Sequence, residues 1–149
     1  MTTLEWEEII PISLKEAWEF FSNPHNLSKL TPRHMDFKIL SDTPEKLYEG
    51  MVINYTVRPL MGIKMYWSTE ITQVKKESYF VDNQILGPYK IWHHQHHFEE
   101  CKGGVKMTDI LNYELPYSFF NTIINNMIVK REIQKIFTYR KESLKTLLK

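Results

Sequence analysis

The stretch YKIWHHQHHFEECKGGVKMTDILNYEL, residues 89–115, decides how the rest of the chain is read. Apolar and polar residues alternate on both sides of Gly103-Gly104, and a period of two sends successive side chains to opposite faces of a strand. Two strands, residues 89–99 and 105–115, therefore predict one antiparallel hairpin. Trp92, His94, His96 and Phe98 fall on one face, and Trp and Phe mark that face as the buried one. Ile91, His93, Gln95, His97 and Glu99 fall on the other, where His93 and His97 are expected to be solvated. With 101–104 as a four-residue loop, Glu100 opposes Val105. The register then sets His96 opposite Asp109, His94 opposite Leu111 and Trp92 opposite Tyr113. An aspartate is expected beside a buried histidine.

Upstream, the same period recurs in residues 35–40, 51–58, 63–74 and 78–85, separated by turn chemistry such as Ser41-Asp42-Thr43-Pro44, Glu49-Gly50 and Gly87-Pro88. Six consecutive strands predict a meander. Before them, residues 3–10 read as a first strand stopped by Pro11, which lacks an amide donor. Ser13 and Glu16 have the spacing of a capping box opening a helix over 14–21, with Ala17, Phe20 and Phe21 inward and Trp18 at the edge. Asn23-Pro24 starts a second short helix over 25–30. Downstream of Pro116, residues 118–148 contain no Gly or Pro and carry helical apolar spacing. Phe120, Ile123, Ile124 and Met127 define one stripe, and Ile133, Ile136, Phe137, Leu144 and Leu147 a second, rotated one. The two halves of the helix are expected to cover different surfaces, or the helix to bend near 129–132.

The fold class is therefore α+β: a curved antiparallel sheet of about seven strands, two short helices and a long C-terminal helix enclosing a cavity. A length of 149 residues fits one domain, 1–149, able to bury a core without disulfides. Nineteen Lys and Arg against 18 Asp and Glu give no reason to expect nucleic acid. The start of the chain has neither the basic end nor the apolar stretch of a secretory signal, and no run is long enough for stable membrane insertion. Cys101 is alone. A cytoplasmic location is the expectation, and the oligomeric state is not readable. Aromatic residues and Met are plentiful, which suits either a core or an irregular cavity.

This order of elements resembles the START-like, or SRPBCC, superfamily with its helix-grip fold, and does so over nearly the whole chain. The resemblance is carried by Ser13-Leu-Lys-Glu-Ala-Trp-Glu-Phe-Phe-Ser-Asn-Pro24, by Leu30-Thr-Pro32 and above all by Gly87-Pro-Tyr-Lys-Ile-Trp-His-His-Gln-His-His-Phe98, with Asp109, Tyr113 and Pro116 as further matches. These are similar to bacterial ligand-binding members grouped with polyketide cyclases and dehydrases and with lipid-transport proteins. The resemblance implies a cavity for a small hydrophobic or amphipathic molecule of the lipid, polyketide, sterol or quinone class. The superfamily holds carriers, enzymes and interaction modules of antitoxin-like or chaperone-activating type, so fold does not choose among them. The glycine-rich loop of the plant allergen branch has no counterpart, since residues 41–50 hold one glycine.

The ligand-binding candidates are Trp67, Phe80, Asp82, Gln84, Trp92, His94, His96, Phe98, Asp109, Tyr113 and Met127. Three readings of the histidine strand stay open. The histidines are structural, satisfied by Asp109, Tyr113, Asp82 and Gln84. Alternatively they read a ligand's polar end or do acid-base work, His94 or His96 as base or acid, Asp109 orienting it and Tyr113 as donor. In the third reading, His-x-His with cross-strand Asp109 supplies a two-His-one-carboxylate metal set, although no further motif supports it. No cofactor and no metal is assigned from the sequence. Arg131 could reach an acidic ligand end or snorkel over the core. The favoured function is binding or carrying an apolar molecule with one polar end, with a cyclase or dehydratase-type enzyme as the alternative.

Overall fold

The structure is a computed structural model that describes residues 1–116 and 123–148, with the backbone alone for 123–125. Strand β1 (Thr2–Ile10) alternates half-buried and exposed residues until Ile10 enters the core. Helix α1 (Leu14–Phe21) begins on the expected capping box. The Ser13 hydroxyl accepts from the Glu16 amide at 3.1 Å, and the Glu16 carboxylate accepts from the Ser13 amide at 2.9 Å. The face it buries differs from the expectation by a small rotation. Trp18 is in the core, edge-on to Phe80 and Phe98 with centroids 6.0 and 5.6 Å away, while Phe20 is only partly buried. Asn23 and Pro24 open a 3-10 helix, Pro24–Leu30.

Of the strand expected over 35–40, only Lys38–Ile39 forms (β2). A 3-10 turn, Arg33–Met35, ends at Asp36 in the left-handed region with φ 48°. That turn takes Met35 out of the sheet and into the core. Strands β3 (Val52–Leu60), β4 (Ile63–Lys75), β5 (Tyr79–Leu86), β6 (Ile91–Cys101) and β7 (Gly104–Glu114) follow. They make one antiparallel seven-stranded sheet in the order β1-β7-β6-β5-β4-β3-β2. Register shifts between β3 and β4 and at two places between β4 and β5 are bulges, which bend and twist the strand that carries them. The sheet curves around the helices in this way.

The β6–β7 register is the expected one, with His96 opposite Asp109, His94 opposite Leu111 and Trp92 opposite Tyr113. The loop is shorter than expected because Cys101 pairs with Gly104, leaving Lys102-Gly103 to make the turn. Gly104 has φ +137°, and a Cβ there would lie 2.0 Å from the Ile10 carbonyl oxygen. Only a residue without a side chain lets the end of β1 come this close.

Helix α2 (Ile123–Leu147) runs unbroken through 129–132. Among its described side chains the buried ones, Val129, Ile133, Phe137, Arg140 and Leu144, recur at three- and four-residue spacing and form one stripe. Of the first stripe expected from the sequence, Phe120 and the side chains of Ile123 and Ile124 lie outside the described residues, and Met127 is exposed. Leu147, assigned to the second stripe, is also exposed, at the end of the helix. Phe137 stacks on Trp6 of β1 with centroids 3.6 Å apart, and Leu144 joins Ile10, Ala17 and Trp18. The C-terminal half of α2 thus covers β1 and α1. Among the described residues no helix is long and apolar enough to cross a membrane.

Candidate functional site

Three adjacent strands bring four titratable side chains into one layer. In β6, alternation turns both His94 and His96 toward the helices, where each is 6% exposed. From one side β7 supplies Asp109, and from the other β5 supplies Asp82. The imidazoles lie against each other, centroids 3.8 Å apart, with a carboxylate at each end. Asp109 Oδ1 is 2.9 Å from His94 Nε2 and 3.2 Å from His96 Nδ1, the second pair lacking the alignment of a hydrogen bond. Asp82 Oδ2 is 2.6 Å from His96 Nε2 and 3.9 Å from His94 Nδ1.

Arg140 of α2 closes this layer from above. Its Nη2 is 3.9 Å from Asp109 Oδ1, and its guanidinium rests on the rings of Phe21 and Phe137 at 5.6 and 5.8 Å. Burial by itself would raise the Asp109 carboxyl, but the Arg140 charge, the bond from His94 and the close His96 ring outweigh it and hold the group well below the usual carboxylate range. Asp82 shows the same contest, burial against the bond and charge of His96, and is also lowered. The two histidines part. Burial, then the neighbouring His96, lowers His94, whereas in His96 the close carboxylates of Asp109 and Asp82 overcome burial and raise it. Adjacent imidazoles whose basicities are pushed apart can divide proton donation and acceptance between them.

The cluster forms part of a cavity wall. Two hollows between sheet and helices enclose about 650 and 780 Å³ of free space, their open mouths included. Both are lined by Leu27, Phe37, Tyr55, Asp82, His96 and Arg140, so they are lobes of one space meeting at the acid-base cluster. Phe21, Ile53, Ile71 and Phe80 make the first lobe apolar, and Met35, Val57, Trp67 and Trp92 the second. A further hollow of about 660 Å³ shares Pro59 and Tyr89 with the second lobe and opens beside Met61 and Ile63.

Of the residues named from sequence, Trp67, Phe80, Asp82, Trp92, His94 and His96 line the lobes. Asp109 sits one step behind, against the far ends of both imidazoles. The others stand elsewhere. Phe98 is packed into the core between Trp18 and Phe21, and Tyr113 into the core with Leu111, Val129 and Ile133. Gln84 is used by its own turn: its Nε2 donates to the Tyr89 carbonyl at 2.6 Å and its Oε1 accepts from the Tyr89 amide at 3.1 Å. Met127 is 65% exposed because the inward stripe of α2 passes through Val129 instead. Arg131 is exposed, and Arg140 occupies the inward position considered for it. His93 and His97 are half-buried on the outer face, where His97 bonds to Gln95.

Sequence reasoning missed Arg140 and Tyr55. Arg140 stands three residues after Phe137 and four before Leu144, on the apolar stripe, and that spacing was the available signal. Tyr55 comes from β3, its hydroxyl 3.4 Å from Thr69 Oγ1, and nothing local distinguished it from other strand aromatics.

Comparison with known proteins extends this picture. A family model described as "Polyketide cyclase / dehydrase and lipid transport" matches residues 10–137. Comparison with curated proteins returns no match. Among solved structures the chain is similar to protein Ms6760 from Mycobacterium smegmatis, with a TM-score of 0.72 at 16% identity over 98% of this chain and 90% of that one. Protein CV1439 from Chromobacterium violaceum gives 0.71 at 11% identity, covering 99% and 98%. The protein Ara h 8.0201 gives 0.64 at 16% identity, covering 97% and 98%. At these identities the likeness is one of fold.

Proposed function

The chain belongs to the polyketide cyclase/dehydrase and lipid-transport family, and from that premise we propose that it binds or carries a small apolar molecule with one hydrogen-bond-accepting end. The observation that carries this reading is the location of its unpaired polar atoms. Among the described residues the buried side-chain nitrogens and oxygens without a hydrogen-bond partner are Trp67 Nε1, His96 Nδ1 and Arg140 Nε. All three residues line the same lobe of the cavity. Unpaired buried donors are costly, by about 1–3 kcal/mol each, and since His96 Nδ1 is turned to Asp109 Oδ1 at 3.2 Å, a carbonyl, phenol or carboxylate entering beside Trp67 Nε1 and Arg140 Nε relieves that cost. The apolar walls then hold the rest of the molecule. The ligand class fits a lipid, polyketide, sterol or quinone.

A second reading, acid-base catalysis of the cyclase or dehydratase type, is favoured by the two buried His-carboxylate pairs at 2.9 and 2.6 Å. Solvent extraction of untagged purified protein, followed by mass spectrometry, tests binding. Recovery of one consistent amphipathic compound supports it, and a clean extract from a protein that also refuses added amphiphiles contradicts it. The enzyme reading requires that His96→Ala abolish turnover of that compound while the fold persists.

A further inference from the structure

We propose that Asp82 Oδ2, His94 Nδ1 and His96 Nε2 form a binding site for one first-row divalent transition cation of the Zn²⁺ or Fe²⁺ kind on the inner wall of the cavity. One ligand atom from each of these three residues lies within 4.8 Å of those of the other two. Asp82 Oδ2 is the shared vertex, 2.6 Å from His96 Nε2 and 3.9 Å from His94 Nδ1. Zinc sits about 2.0–2.2 Å from nitrogen and oxygen ligands, so a triangle of this size closes around a cation with small side-chain adjustments. All three residues line the cavity, which leaves further coordination positions facing the space where a bound molecule would lie.

The stronger argument is at the other end of each ring. Histidines that bind metals give their second nitrogen to a carboxylate or carbonyl, which fixes the ring's orientation and strengthens it as a ligand. Here one oxygen, Asp109 Oδ1, faces the second nitrogen of both rings, His94 Nε2 at 2.9 Å and His96 Nδ1 at 3.2 Å. With protons on that side, the remaining lone pairs of both imidazoles point toward Asp82. Arg140 lies against Asp109, and its fixed positive charge makes the Asp109 end unsuited to a cation. The sequence pattern had pointed to Asp109 as the metal carboxylate; the geometry assigns that role to Asp82 and makes Asp109 the positioning residue. With neutral imidazoles, Asp82 and Asp109 against Arg140 leave the cluster one negative charge, which does not oppose a divalent cation. Two imidazoles and one carboxylate suit zinc or ferrous iron, whereas calcium and magnesium prefer oxygen ligands alone. This inference is independent of whether an apolar molecule binds beside it.

The test uses untagged protein stripped with a chelator and titrated with Co²⁺ as the spectroscopic probe. One equivalent is expected to produce a visible d–d band that Zn²⁺ abolishes by displacement. Asp109→Asn should weaken the affinity by about 10- to 100-fold, Asp82→Ala by more, and His93→Gln and His97→Gln should leave it unchanged. Where Asp82→Ala does not fold, X-ray absorption of the zinc-loaded natural protein decides, with two imidazoles and an oxygen donor expected. Absence of the band, a zinc spectrum without two imidazoles, or loss of binding in the His93 or His97 variants would overturn the proposal.

Discussion

Arg140 and Asp109 carry the most consequence per residue. Both are buried, and breaking a buried charged pair from one side typically costs about 3–5 kcal/mol, because the remaining charge has no partner. Asp109→Asn, which keeps the shape, is expected to lower stability by about 3 kcal/mol in urea denaturation. The pH dependence of the metal-free protein follows from the same groups. Asp109 and Asp82 are depressed, so their stabilisation is complete above the ordinary carboxylate range and disappears as pH falls through the lowered values. His96 is raised, so its contribution is complete below the ordinary histidine value and fades as pH rises through the raised one. The urea midpoint should therefore fall on the acid side, and less steeply in Asp109→Asn; an identical acid limb in the variant would contradict this account. The His94, His96 and Asp109 grouping was legible in the sequence because alternation and one hairpin register determine it. Arg140 was not, since a charged residue on an apolar stripe reads as a surface position until the packing of α2 is known. Nor was Gln84's role legible, because its partner is a backbone group at the turn.

Among the elements, the hairpin and α2 position the site, and each has a weak point. Gly104→Ala places a methyl group 2.0 Å from the Ile10 carbonyl oxygen. It must push β1 away from β7, and a clear loss of thermal stability is expected; unchanged melting would mean the approach is not as close as described. Phe137 joins α2 to β1 through its stack on Trp6. Truncation to Ala should cost about 3–5 kcal/mol, measurable by denaturation. The sequence separated helices from strands well, because periods of two and of three to four are distinct signals. It failed at 35–40, where alternation continued across Asp36 although the backbone there turns left-handed. A single residue's φ leaves no trace in an apolar pattern. In the described part of α2, Ile133, Phe137 and Leu144 are buried as expected and only Met127 and Leu147 depart, because spacing gives a helix's apolar face while its rotation and ends are set by the sheet beneath.

At the scale of the whole molecule, the order of elements was enough to place the chain in its fold, since a first strand returning beside the last and a final helix laid over the sheet leave few alternative arrangements. The cavity walls were less legible. They draw on β3, β4, β5, β6, α1 and α2, and convergence from so many separated segments depends on sheet curvature that local sequence does not encode. The central claim is that this space receives an amphipathic molecule, and its most direct test is a titration of solvent-extracted protein with an anionic naphthalene-sulfonate fluorophore. The natural protein should show saturable one-to-one uptake with a blue-shifted emission, and Thr69→Phe, which fills the first lobe from its wall, should lose that uptake while keeping the same circular dichroism. Equal binding by both proteins, or emission that never saturates, would contradict it.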